Sequence, residues 1–107
     1  MVEIKNKDVK KWIKDFKVKL NKQFSPKKII LFGSRARKDN LVYSDIDLVI
    51  VSDKFKNIKW PRRLGSVAKL WRGLIVLEPL CYTLEEFNEK RNQIGIVKRA
   101  VEEGMEL

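Results

Sequence analysis

The chain has 107 residues, 44% hydrophobic and 36% charged, with three prolines and five glycines. That is a globular composition, which excludes a disordered, collagen-like or repetitive chain. Its formal charge is +10, and residues 1 to 28 hold ten lysines against only Glu3, Asp8 and Asp15, a field that suits nucleic acid, nucleotide phosphates or an acidic protein partner and equally suits a solvated helix face.

One domain spanning 1–107 is expected, with a modest core and no space for a second substrate-binding module. Apolar runs such as 28–32 and 46–51 are too short to cross a bilayer, and the N-terminus lacks the apolar core of a signal peptide. The expectation is a cytoplasmic protein without a membrane role. The lone Cys81 has no partner for an intrachain disulfide and reads as a small buried hydrophobe.

In chain order, residues 7 to 24 place Val9, Trp12, Ile13, Phe16 and Leu20 at helical spacing, with lysines mostly opposite. Ser25-Pro26 stops that helix. A short strand, Lys28 to Phe32, follows and is broken by Gly33-Ser34. Arg35 to Lys38 can form one helical turn before the polar loop Asp39 to Ser44, and a second strand is expected from Asp45 to Val51.

Asp53 to Lys59 reads as loop. Pro61 opens a helix running to about Trp71 or Arg72, with Gly73 as its C-cap. Leu74 to Tyr82 is β-rich, Thr83 with Glu86 has the form of a capping box opening a helix through Phe87, and Gln93 to Glu103 forms a last helix ended by Gly104. The fold class is therefore α/β in the α+β sense, a small mixed sheet flanked by helices.

The chemistry concentrates in "LFGSRARKDNLVYSDIDLVIV", Leu31 to Val51. Alternation in a strand puts Asp45 and Asp47 on one face and Ile46, Leu48 and Ile50 on the other. Two like charges side by side call for a compensating cation, and aligned carboxylates can bridge two Mg²⁺ ions roughly 3.5 to 4 Å apart for in-line phosphoryl or nucleotidyl transfer. An isolated Asp-x-Asp is more often a turn residue followed by a solvent-facing strand position. Gly33-Ser34 changes the weighting, because a strand-to-helix junction lets backbone approach phosphate closely and Ser34 can cap the helix while offering its hydroxyl and amide.

"GS", ten residues, then "DID" resembles the signature of the DNA polymerase β-like nucleotidyltransferase superfamily, specifically its minimal nucleotidyltransferase (MNT) domains. "GSRAR" at 33–37, "SDIDL" at 44–48, "YTLEEF" at 82–87 and "VEEG" at 101–104 are similar to that family, and the likeness runs from Ile29 onward. It implies the polymerase β-like nucleotidyltransferase fold, two Mg²⁺ ions, ATP as substrate and release of pyrophosphate. It also implies a third carboxylate four residues before the tyrosine of "YT". That position is Glu78, a glutamate where the family usually has aspartate.

The implied catalytic and metal set is thus Asp45, Asp47 and Glu78, with Gly33, Ser34, Arg35 and Arg37 around the nucleotide. Lys38 stands where the family commonly has glycine, and Ser44 reads as a turn residue. Trp12, Trp60 and Trp71 are read as packing residues rather than base-stacking ones.

By resemblance, a protein of this kind is an antitoxin that adenylylates a tyrosine hydroxyl of an all-helical HEPN ribonuclease toxin. A contact-only antitoxin of weak activity, suggested by Glu78 and Pro79, is the alternative. Nucleotide addition to RNA or a small molecule is a further one, suggested by the basic N-terminus but unsupported by any RNA-recognition motif.

Overall fold

The computed structural model describes residues 3–107. Helix α1 (Asn6–Phe24) begins where the Lys5 amide donates to the Asp8 carboxylate at 2.9 Å, and it ends at Ser25, whose left-handed φ of 43° turns the chain ahead of Pro26. Its apolar stripe is Val9, Phe16, Leu20 and Phe24, all buried. Each such side chain stabilises the fold by about 1.5–3 kcal/mol; without that stripe a lysine-rich helix would have no reason to dock.

Strands β1 (Lys28–Phe32), β2 (Ile46–Val51), β3 (Leu77–Tyr82) and β4 (Met105–Glu106) form one mixed sheet in the order β3-β2-β1-β4. β1 pairs antiparallel with both β2 and β4, whereas β2 and β3 are parallel. The parallel pair needs a crossover, supplied by a 3₁₀ turn (Asp53–Asn57) and helix α3 (Trp60–Ala68). Helices α4 (Leu84–Lys90) and α5 (Ile96–Glu103) follow β3.

Alternation along the strands divides the core. Ile29, Leu31, Ile46, Leu48, Ile50 and Cys81 pack with α1, with Phe55 of the 3₁₀ turn and with Val67 of α3. On the other face Ile30, Val49, Val51 and Tyr82 pack with Phe87, Val97 and Ala100 of α4 and α5. The result is the mixed α+β fold expected, a four-stranded sheet flanked by helices.

Several boundaries differ from the sequence reading. α3 stops at Ala68, capped at Lys69, so Gly73 is not its C-cap; the Trp71 indole instead donates to the Ile75 carbonyl at 2.9 Å and its ring packs edge-on against Phe16. This apolar anchor ends the helix early. The expected loop from Asp53 is a 3₁₀ turn capped by Ser52, whose hydroxyl accepts from the Lys54 amide and donates to the Phe24 carbonyl.

β3 starts at Leu77 rather than Leu74, α4 runs on to Lys90, and α5 starts at Ile96 rather than Gln93. β4, two residues long, is too short an edge strand to carry a periodicity in the sequence. It forms where Gly104 lets the chain return against β1: a Cβ there would meet the Ala100 and Leu31 carbonyls and the Ile30 side chain.

Candidate active site

The sheet register assembles the carboxylates. Asp47 lies opposite Phe32 of β1 and, across the parallel pair, opposite Glu78 of β3. Residues opposite one another in a ladder project from the same face, so Asp47 and Glu78 share the α4/α5 face at the end of the sheet that these helices leave open. Asp45 stands one residue before β2 begins at Ile46 and is exposed. Pro79 occupies edge strand β3, where a missing ladder donor is tolerated. Glu78 is therefore exposed on an edge strand and stands beside the aspartates.

Their proximity appears in the electrostatics. The Glu78 carboxyl is pushed above its ordinary range, first by a hydrogen bond shared with Asp47, then by partial loss of solvent and by the charges of Asp47 and Asp45. The three acids are neighbours rather than a closed cage, since no group of three such ligands converges on one point among the described residues. Nor does any of the three take part in an ion pair among those residues.

Gly33 completes the mouth. It is the N-cap of the four-residue helix α2 (Ser34–Arg37), with φ 75° and ψ −156°, and a Cβ there would collide with the Asp47 carboxylate. Glycine is needed both for the backbone conformation and for the close approach. Ser34 is the first helical residue, not the cap, and no side chain caps α2, a correction to the capping role read from the sequence. With a single turn of helix the macrodipole is slight, so phosphate would be held here by backbone amides and the Ser34 hydroxyl.

The two arginines separate. Arg35 is committed to its own chain: Nε donates to the Ser44 carbonyl at 3.0 Å, and Nη2 donates to the Val42 and Ser44 carbonyls at 2.6 and 2.8 Å. It ties the loop between α2 and β2 and so positions Asp45. Arg37 is exposed and pairs with Asp39 at 3.2 Å, leaving it able to swing to an incoming anion. Lys38 closes α2 with φ 63° and ψ 25°, which explains why glycine is usual there: the position is left-handed.

Cys81 is buried, and loss of solvent pushes its thiol up to about 12, in keeping with an inert core residue. Trp12 and Trp71 pack against the core. Trp60 is half-exposed, with its ring against Tyr82 at 5.1 Å and the Arg63 guanidinium 5.6 Å from its centroid.

From the sequence Arg63 reads as one of the basic residues of α3, with Arg62, Lys69 and Arg72, rather than as an interior group; it is 6% exposed and donates to the Ile58 and Cys81 carbonyls and to Glu86. The signal available was an arginine on the buried side of α3, four residues before Val67, with the capping-box glutamate downstream.

The chain matches the family described as Nucleotidyltransferase domain over residues 10–103. It belongs to that family. Family membership makes it a transferase of nucleotidyl groups, and nucleotidyltransferase domains generally use a nucleoside triphosphate and a divalent metal. Among solved structures it is similar to a Sulfolobus solfataricus protein described as a candidate nucleotidyltransferase, at 23% identity and a TM-score of 0.55, covering 83% of this chain and 85% of that one. That likeness bears on the fold. No curated protein matches the sequence.

The residues present fit a hard divalent cation. Their donors are all carboxylate oxygens, the set Mg²⁺ prefers, and their mutual repulsion at Glu78 is what a cation would relieve. No helix is long and apolar enough to cross a membrane among the described residues.

Proposed function

We propose that the chain transfers AMP from MgATP to a hydroxyl group on a separate protein. The observation that carries this reading is the like-charged trio at the open end of the sheet, with Asp47 in register with Glu78 and the Gly33 backbone against Asp47. Asp45, Asp47 and Glu78 would hold Mg²⁺, which when bound supplies the positive charge that the triphosphate and leaving pyrophosphate require.

The chain's own groups do the remaining work. The Gly33-Ser34 turn would hold the outer phosphates through amides and a hydroxyl, Arg37 would add a mobile cation, and Arg35 would fix the loop bearing Asp45. The acceptor oxygen forms a bond to the α-phosphorus as the bond to the bridging oxygen breaks. Its proton passes toward Glu78, the carboxylate that stands in register with Asp47.

By resemblance to the minimal nucleotidyltransferases, the acceptor is a tyrosine of an all-helical HEPN ribonuclease toxin, and the modification silences it. The test is the intact mass of the co-purified partner before and after incubation with MgATP, with Asp45→Asn/Asp47→Asn as control. Adenylate-sized increments that vanish in the control are expected. A stable complex without any increment would replace the enzyme with an antitoxin acting by contact.

A further inference from the structure

Tyr43 stands on a turn that the fold holds firmly, two residues before Asp45. The Ser44 amide donates to the Leu41 carbonyl at 3.0 Å, and the Leu41 amide donates to the Ser44 hydroxyl at 2.9 Å. The Arg35 guanidinium donates to the carbonyls on either side of Tyr43, those of Val42 and Ser44. The backbone around Tyr43 is thus tied to α2, yet the side chain is 58% exposed. Its ring joins neither core cluster and meets no other aromatic ring among the described residues.

The direction of that side chain follows from the strand. Tyr43 and Asp45 are exposed and Asp47 half-buried, whereas the residues between and after them fall from half-buried Ser44 to buried Ile46 and Leu48. This period of two carries the facing of β2 back beyond Ile46. Tyr43 therefore lies on the side of Asp45 and Asp47. The chain's other tyrosine, Tyr82, is buried.

We infer that Tyr43 is itself an acceptor, adenylylated by its own chain when no partner occupies the site. The inference rests on the reading of the site as an adenylyltransferase. Two residues of extended chain span at most about 7 Å, a distance that a tyrosine side chain covers unaided, and the tether gives the phenol an effective concentration of about millimolar or higher. The Tyr43 Oη forms a bond to the α-phosphorus of ATP, the bond from that phosphorus to the bridging oxygen breaks, and pyrophosphate leaves. The phenolic proton passes to Glu78, in register with Asp47. The product is a phosphodiester at the mouth of the site, in the path of any further acceptor.

The full chain, purified without a partner, is incubated with MgATP and read by intact mass and peptide mapping. One adenylate-sized increment on Tyr43 is expected, absent from Tyr43→Phe and from Asp45→Asn/Asp47→Asn. The reaction within one chain is checked by mixing those two variants, one active without the acceptor and the other carrying the acceptor without activity. Both are expected to stay unmodified.

A chain that modifies its partner but never itself would overturn the proposal, as would an increment that survives Tyr43→Phe. Modification of the inactive chain in the mixture would also overturn it, by making the transfer intermolecular. A chain that modifies neither itself nor its partner would remove the transferase reading on which the proposal stands.

Discussion

Strand β3 carries a charge cluster at each end, and the two are built on opposite principles. At its start, Glu78 meets Asp47 and Asp45, three groups of one sign with no protein cation paired to them among the described residues. At its far end the Arg63 guanidinium reaches the Cys81 carbonyl at 3.2 Å and the Glu86 carboxylate at 2.6 Å, and Glu86 also accepts from the Thr83 amide at 2.8 Å. The second cluster is complete as folded. The first gathers like charges without a cation; on the proposed reading it is the end that does chemistry, while the second holds α3 and α4 to the sheet.

If the contrast is right, the largest effects fall on activity at the first end. Asp47→Asn removes a metal-binding charge and should lower transfer by about a thousandfold or more, measured as adenylate incorporated into the partner, without loss of the folded state. Gly33→Ala attacks the same carboxylate from the backbone side, since its Cβ would displace Asp47. A misplacement on the order of 1 Å costs about a hundredfold in rate, so activity should fall by roughly that factor in the same assay. Full activity in Gly33→Ala would detach Asp47 from the site.

Smaller effects fall on stability at the other end. Arg63→Ala leaves Glu86 without its cation and the Ile58 and Cys81 carbonyls without a donor. Glu86 keeps 40% of its side chain in solvent, so the loss is discounted to about 2–3 kcal/mol from the value for a fully buried pair. Urea denaturation measures it, and a loss below about 0.5 kcal/mol would class the pair with ordinary surface bridges.

The pH dependence of that pair has a definite sign. Burial alone would raise the Glu86 carboxyl, but Arg63 and the Thr83 amide outweigh it and hold it below the ordinary value. Because the folded-state value is depressed, the contribution is present in full above the unfolded-state value of about 4.3 and is lost as pH falls through the lower folded one. The stability gap between wild type and Glu86→Gln should accordingly be widest near neutral pH and close in that acidic window.

Most of this architecture was legible in the sequence. The stripe Val9, Phe16 and Leu20, the Ser25-Pro26 stop and the Thr83 to Glu86 capping box are local patterns, and the helices they announce are present. The Asp45–Asp47 spacing announced a shared face. That Glu78 stands opposite Asp47 is a matter of register between strands 25 or more residues apart, which no local pattern encodes. β4 and the early end of α3 were hidden for the same reason, as they depend on packing against β1 and on the Trp71 anchor.

Lys38 was visible as a departure from its family, but its meaning required the backbone. At φ 63° a lysine adopts a conformation that costs non-glycine residues about 1–2 kcal/mol. Allowing for the greater freedom of unfolded glycine, Lys38→Gly should raise stability by about 0.5–1 kcal/mol, the smallest effect anticipated here and one readable from the urea midpoint.

The central claim, that the like-charged end of β3 is a site for a metal-bound nucleotide, is tested most directly by thermal unfolding of wild type and Asp45→Asn/Asp47→Asn, each with and without MgATP. The double variant is expected to be at least as stable as wild type in buffer, because repulsion is relieved, and MgATP to raise the melting temperature of wild type only, as ligand linkage requires. A variant that is less stable in buffer, yet gains as much from MgATP as wild type does, would contradict it.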